Sequence, residues 1–229
     1  PFMKGVCEAQ RKLLSEVDEL HGLRSGLIRI GTFSSVATHW LPNMIKTFQT
    51  EYPNIEFELL LGDYTEIEGW VATGRVDCGF VTMPVRAELD TIFLEDDPLL
   101  AILPEGHPMA ELPRFPLKGL EQEPFMLLEK GGKAEISEIF ERHKLKPDIK
   151  FVTWDDYAIM AMVENGLGIS ILPRLILRRV PYRIVKKELE APACRKIGIA
   201  LRDMRTAPLS VKRFLDYLKF RVPDETAED

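Results

Sequence analysis

The sequence predicts an α/β fold in two small domains with a cleft between them, and three observations lead there. Short strands that are apolar on both faces alternate with amphipathic helices, the pattern of a parallel sheet covered on both sides. The pattern changes register at Asp97-Pro98, where a second strand–helix series begins. Single strands carry the chain from one series to the other and back. With 229 residues, 45% of them hydrophobic, the chain is long enough to bury one or two cores.

Residues 3–22 read as one amphipathic helix with Val6, Leu13, Val17 and Leu20 on a near-heptad stripe, and Gly22 and Ser25-Gly26 end it. Such a helix serves either a domain core or, ahead of a Gly/Ser break, a linker or dimerisation contact. Leu27 to Gly31 is a strand, Phe33-Ser34-Ser35 a turn, and Leu41, Met44, Ile45 and Phe48 mark a helix that Tyr52-Pro53 stops. Phe57 to Leu61 is a continuous apolar strand, followed by a turn at Gly62-Asp63-Tyr64-Thr65. A short helix then turns Ile67, Trp70 and Val71 inward and ends at Gly74, and Val76 to Thr82 is the third strand.

In the second series Leu99 to Leu103 is a strand closed by Pro104-Glu105-Gly106-His107-Pro108. A strand at 125–128, a helix near 134–144, a strand at 149–153, a helix at 156–165 and a strand at 168–172 follow. Lys196 to Arg202 is the returning strand, and Pro208 opens a last helix with Val211, Phe214, Leu215 and Leu218 inward. The acidic tail, 223–229, reads as disordered.

Composition narrows the function. A net charge of −6 repels phosphate backbones, so this polypeptide by itself is a poor nucleic-acid binder. Cys7, Cys78 and Cys194 are too few and too far apart for a disulfide framework or a zinc site and point to a reducing compartment. No apolar run reaches the length of a membrane span and no signal-peptide pattern opens the chain, so the expectation is a cytoplasmic protein without membrane contact. An opening proline suggests a fragment or a processed chain. His21, His39, His107 and His143 are scattered, and no nucleophile elbow, metal-binding helix or Walker loop is present. We therefore expect no enzyme, no cofactor and no metal.

Ligands on open α/β sheets sit beyond the carboxyl ends of strands. Ser34 and Ser35 fall at such a point, where serine hydroxyls either cap a helix or, with helical N–H groups, hold a carboxylate. Tyr64 and Thr65, then Thr82 and Met83, end the next two strands. The corresponding positions of the second series are Lys130-Gly131, with Gly132 and Lys133, and Trp154-Asp155. The lysines either offset an anion or lie in water, Trp154 either stacks on a ring or packs, and Asp155 and Asp156 suit the first turn of a helix with no ligand at all.

Several motifs in series resemble a known family. They are Gly26-Leu27-Ile28-Arg29-Ile30-Gly31 with Leu41-Pro42, Phe48 through Tyr52-Pro53, Glu66-Ile67, Gly74-Arg75-Val76-Asp77-Cys78-Gly79-Phe80, Leu103-Pro104-Glu105-Gly106-His107-Pro108 and Gly166 through Pro173. Over residues 26–222 the chain is similar to the effector-binding domain of LysR-type transcriptional regulators, and residues 1–22 resemble the end of that family's linker helix. The resemblance implies two Rossmann-like subdomains of the type II periplasmic-binding-protein kind, residues 26–97 with 205–222 and residues 98–204, after a partial linker over 1–25. It implies a small-molecule effector in the cleft, a homodimer or homotetramer, and DNA contact only through a winged helix-turn-helix absent from this sequence. A solute-binding protein of a transporter, which shares the fold, is the alternative.

Overall fold

A computed structural model describes residues 25–129 and 135–221. The expected linker helix at 3–22 and the tail at 223–229 lie outside the described residues. The chain divides into two compact units, one of residues up to Leu94 together with those from Ile197, the other Glu95–Lys196. The changeovers thus fall inside strands, at 94/95 and 196/197. Hydrophobic periodicity does not mark where a strand that serves two sheets passes from one to the other.

In the first unit β1 (Gly26–Thr32), β2 (Ile55–Leu61) and β3 (Cys78–Met83) are parallel, in the order β2-β1-β3, with β9 (Cys194–Leu201) beyond β3. Helices α1 (Ser34–His39), α2 (Leu41–Glu51), α3 (Tyr64–Thr73) and α6 (Leu209–Leu215) cover the sheet, and a 3-10 turn at Asp216–Arg221 continues α6. Ile28, Ile30, Val36, Trp40, Leu41, Met44, Phe48, Ile67, Phe80 and Phe214 form the buried interior. Phe48 anchors it, with ring centroids 5.6 Å from Phe57, 5.7 Å from Phe214 and 5.0 Å from Tyr217.

Two sequence readings change here. The expected turn at 33–35 is already helical, because α1 starts at Ser34 and the chain bends at Trp40 before Pro42 restarts the helix as α2. The β2 strand was expected to be buried on both faces, yet only Ile55 of it is buried, and Leu59 and Leu61 are 44% and 53% exposed. The strand lies at the edge of the sheet, where apolar sequence does not report burial.

In the second unit β5 (Pro124–Leu128) is parallel to β6 (Asp148–Thr153) and β7 (Ile169–Pro173), while β4 (Asp90–Pro104) runs antiparallel to β7 and to β8 (Ile184–Glu188). The sheet is therefore mixed rather than purely parallel. Its period-2 pattern separates two cores. Ala101, Leu103, Phe125, Leu127, Ile169 and Ile171 pack with α4 (Glu135–His143) through Ile136, Ile139 and Phe140. Ile102, Met126 and Leu172 face the other way, onto Ile159, Met160 and Val163 of α5 (Asp156–Glu164) and onto Ile176 and Leu177. The sequence reading missed β8, which contains Lys186 and Lys187 and buries no residue. Gly168 brings the start of β7 close to β5: its φ is +148°, and a Cβ there would lie 2.2 Å from the Pro124 carbonyl oxygen.

A buried ion pair stands among this apolar packing. Asp97 of β4 and Arg195 of β9 have side chains 2% and 4% exposed. Arg195 donates from Nε at 2.9 Å and from a terminal nitrogen at 2.7 Å to one carboxylate oxygen, and the Leu175 amide donates to the other at 2.9 Å. Nearby, the Leu99 amide donates to the Ala193 carbonyl at 2.8 Å. One carboxylate thus ties the strand that enters this unit, the strand that leaves it and the turn after β7.

Three outcomes follow. Asp97→Ala strands a buried guanidinium and lowers unfolding free energy by about 3–5 kcal/mol in urea titration, while Asp97→Leu combined with Arg195→Met recovers most of the loss. Gly168→Ala forces a backbone clash and lowers the melting temperature well beyond the few degrees of an ordinary surface substitution. The Tyr217 hydroxyl donates to Glu51, which lowers the Glu51 pKa and pushes that of Tyr217 up to about 12. A raised folded-state pKa gives stability that is present below the ordinary tyrosine pKa of about 10 and is lost as pH rises through about 12. Ultraviolet titration should show a late tyrosinate phase that Tyr217→Phe removes.

Candidate functional site

The three parallel strands of the first unit end along one edge of their sheet. Thr32 of β1 lies level with Leu61 of β2, and β3 runs past Gly79, the partner of Gly31, to Thr82 and Met83. Helix α1 leaves this edge at Ser34 and α3 leaves it at Tyr64. The parallel arrangement therefore brings six predicted residues to one edge: Ser34, Ser35, Tyr64, Thr65, Thr82 and Met83.

Their environments differ. Ser35 is 3% exposed, Ser34, Tyr64, Thr82 and Met83 are half-buried, and Thr65 is exposed. The serines were weighed as possible caps, but the N-cap of α1 is Phe33, which offers no side-chain acceptor. At α3 the helix closes its own end: Asp63 accepts from the Glu66 amide at 2.7 Å and Glu66 accepts from the Asp63 amide at 3.0 Å. The Phe33 and Tyr64 rings meet edge to face at 5.1 Å and stiffen the rim between the two helix starts. Thr32, which the sequence reading did not single out, is buried beneath it and donates to the Phe33 carbonyl at 3.3 Å. A threonine closing a strand just before the serines was the available signal.

Glycine sets the position of Met83. A Cβ on Gly198 of β9 would lie 2.9 Å from the Ile92 carbonyl oxygen and 3.0 Å from the Met83 sulfur, so a side chain there would displace the thioether. Met83 is joined to Pro84 by a cis peptide bond.

In the second unit Thr153 ends β6 and Trp154 and Asp155 follow it, and the Glu129 amide donates to the Thr153 carbonyl at 2.9 Å. Asp155 caps α5, its carboxylate accepting from the Tyr157 amide at 2.9 Å and the Ala158 amide at 3.2 Å. Trp154 is 55% exposed. Lys130 and Gly131, with Gly132 and Lys133, lie outside the described residues.

Cys78 is fully buried in β3, and desolvation, with the Asp77 charge second, holds its thiol protonated well above the usual range. Cys194 is exposed, its sulfur 3.9 Å from an Asp96 oxygen, and Cys7 lies outside the described residues. Among the described residues no group of three or more His, Cys, Asp or Glu could hold a metal ion, and no helix is long and apolar enough to cross a membrane.

Comparison with known proteins agrees with this frame. The family model described as the LysR substrate binding domain matches residues 21–222. An uncharacterized HTH-type transcriptional regulator, YvbU of Bacillus subtilis, is 27% identical over 219 residues, covering 95% of this chain and 73% of the relative. A probable HTH-type transcriptional regulator, LrrA of Synechococcus elongatus, is 30% identical over 222 residues, covering 94% and 73%. Among solved structures, the CcmR regulatory domain of Synechocystis PCC6803 in complex with 2-PG superposes with a TM-score of 0.79 at 23% identity, covering 88% of this chain and 99% of that one. The BenM effector binding domain with its effector benzoate has a TM-score of 0.74 at 23% identity, covering 85% and 90%.

Proposed function

Since the chain belongs to the LysR substrate-binding-domain family of transcriptional regulators, we propose that it senses a small organic acid through the strand-end edge of its first unit. The observation that carries this is the convergence of Ser34, Ser35, Thr82 and Met83 beside the buried Thr32, with the Phe33–Tyr64 pair at the rim. Hydroxyl groups supply donors for a carboxylate, and the aromatic rim and the thioether suit an apolar body. Two of the similar structures hold 2-PG and benzoate, and benzoate, a carboxylate, fits an acid as the ligand class. The relatives are regulators, so the transporter alternative is not favoured.

Binding would act by differential affinity for two arrangements of a homo-oligomer, transmitted to a DNA-reading domain of the whole regulator. A homodimer or homotetramer is supported by two apolar sheet edges. Strand β2 exposes Leu59 and Leu61, and β6, at the far end of its own sheet, exposes Ile149, Phe151 and Val152. Exposed apolar edge strands are aggregation-prone unless another chain covers them.

The test is thermal denaturation of the chain against a panel of small organic acids that includes benzoate and 2-PG. At least one acid should raise the melting temperature saturably. Ser35→Ala and Thr82→Val should weaken its binding about ten- to hundredfold, as loss of a hydrogen bond to a charged group requires, with an unchanged circular dichroism spectrum. An acid that binds both variants as tightly as the parent chain would remove this edge from the site.

A further inference from the structure

The chain is acidic overall, yet one surface stretch runs the other way. Residues 174–187 contain Arg174, Arg178, Arg179, Arg183, Lys186 and Lys187 and no acidic residue, in a chain whose net charge is −6. This stretch lies wholly in the second unit and had no place in the effector reading.

The fold gathers these cations instead of scattering them. Leu175, Ile176 and Leu177 are buried, and they anchor a helical turn held by the Leu177 amide on the Arg174 carbonyl at 3.1 Å and the Arg178 amide on the Leu175 carbonyl at 3.4 Å. Arg174 begins that turn and Arg178 follows four residues later within it. Arg179, at a left-handed φ of 49°, ends it. From β8, Lys186 reaches back and donates to the Leu177 carbonyl at 2.5 Å, which places a fourth cationic side chain at the end of the same turn. Arg183 extends the row with a side chain 79% exposed, its Nε 3.7 Å from Glu164. Arg174 and Arg179 are exposed and Arg178 is half-buried; among the described residues neither Arg174 nor Arg178 forms an ion pair. The whole turn hangs from the buried Asp97 carboxylate through the Leu175 amide, so its position is fixed by the core.

Four of the six cations are arginines, whose planar fork grips phosphate oxygens two at a time. A run of positive charge held on a rigid turn, within an acidic domain of a family of DNA-binding regulators, fits a regularly spaced polyanion better than a single small anion. We propose that the turn at 174–179, with Arg183 and Lys186, is a contact surface for the phosphate backbone of duplex DNA, independent of any base reading. The assignment rests on the chain being part of a DNA-binding regulator but makes no use of the effector site. Contacts of this kind position a protein on a duplex without specifying sequence.

The experiment is fluorescence anisotropy of a labelled duplex of about 20 base pairs titrated with this chain at roughly 20 mM salt, then at increasing salt. The expected result is weak saturable binding whose affinity falls with salt at a log–log slope of about −3 to −4, as for roughly four neutralised phosphates. Arg174→Glu with Arg178→Glu should reduce affinity at least tenfold with an unchanged circular dichroism spectrum and melting temperature, and Ser35→Ala should leave it unaltered. Absence of duplex binding at low salt, or binding that survives the double reversal, would overturn the assignment. So would binding of poly-glutamate as tight as that of the duplex, which would give the surface to an acidic protein segment. Each of these failures leaves the effector reading standing, because that reading is tested by organic acids and by Ser35.

Discussion

The Asp97–Arg195 pair is the constraint on which the second unit is built. Its two side chains are almost wholly withdrawn from water, beside strands whose buried residues form the two apolar cores. A lone charge there would be costly; the two together, with the Leu175 amide on the remaining carboxylate oxygen, are satisfied. A hydrophobic pair would hold β4 beside β9 as well, but without fixing register. Hydrogen bonds to a single carboxylate fix which residue of the entering strand meets which residue of the leaving strand, and where the turn after β7 starts. The basic turn inherits its rigidity from the same carboxylate.

The first unit uses a different device. Parallel pairing of β1 with β2 and β3 places three strand ends on one edge, and this topology, more than any one side chain, assembles the candidate site. Residues separated by about fifty positions in sequence, such as Ser34 and Thr82, then share one edge. Packing around Phe48 and Trp40 keeps α1 and α2 against the sheet, so the edge is presented by a rigid support. At α3 the capping box satisfies the helix end internally. The candidate polar groups left at this edge are Ser34, Ser35 and Thr82.

Much of this was legible in the sequence, for identifiable reasons. Strands β1, β3, β5 and β7 carry buried residues on both faces, so their apolar runs stand out, and Gly74 and Gly166 mark helix ends through left-handed backbone that glycine adopts without penalty. The serine and threonine positions could be named because strand ends precede helix starts. Strand β8 was not legible, since an edge strand with Lys186 and Lys187 lacks the apolar alternation that reveals a half-buried strand. The exposure of Leu59 and Leu61 was hidden for the opposite reason: an apolar edge strand has the same sequence pattern as a core strand. Asp97 looked like a break in the pattern because its partner lies 98 residues away in sequence, and no local rule pairs them.

The central claim, that the strand-end edge of the first unit receives the effector, is tested most directly by amide chemical-shift mapping. The isotopically labelled chain would be titrated with the acid that gives the largest thermal shift. Saturable perturbations concentrated at 32–36 and 82–83 are expected, with the Phe33 and Tyr64 ring resonances moving in the same titration. Perturbations that saturate elsewhere while those segments stay still would contradict that claim.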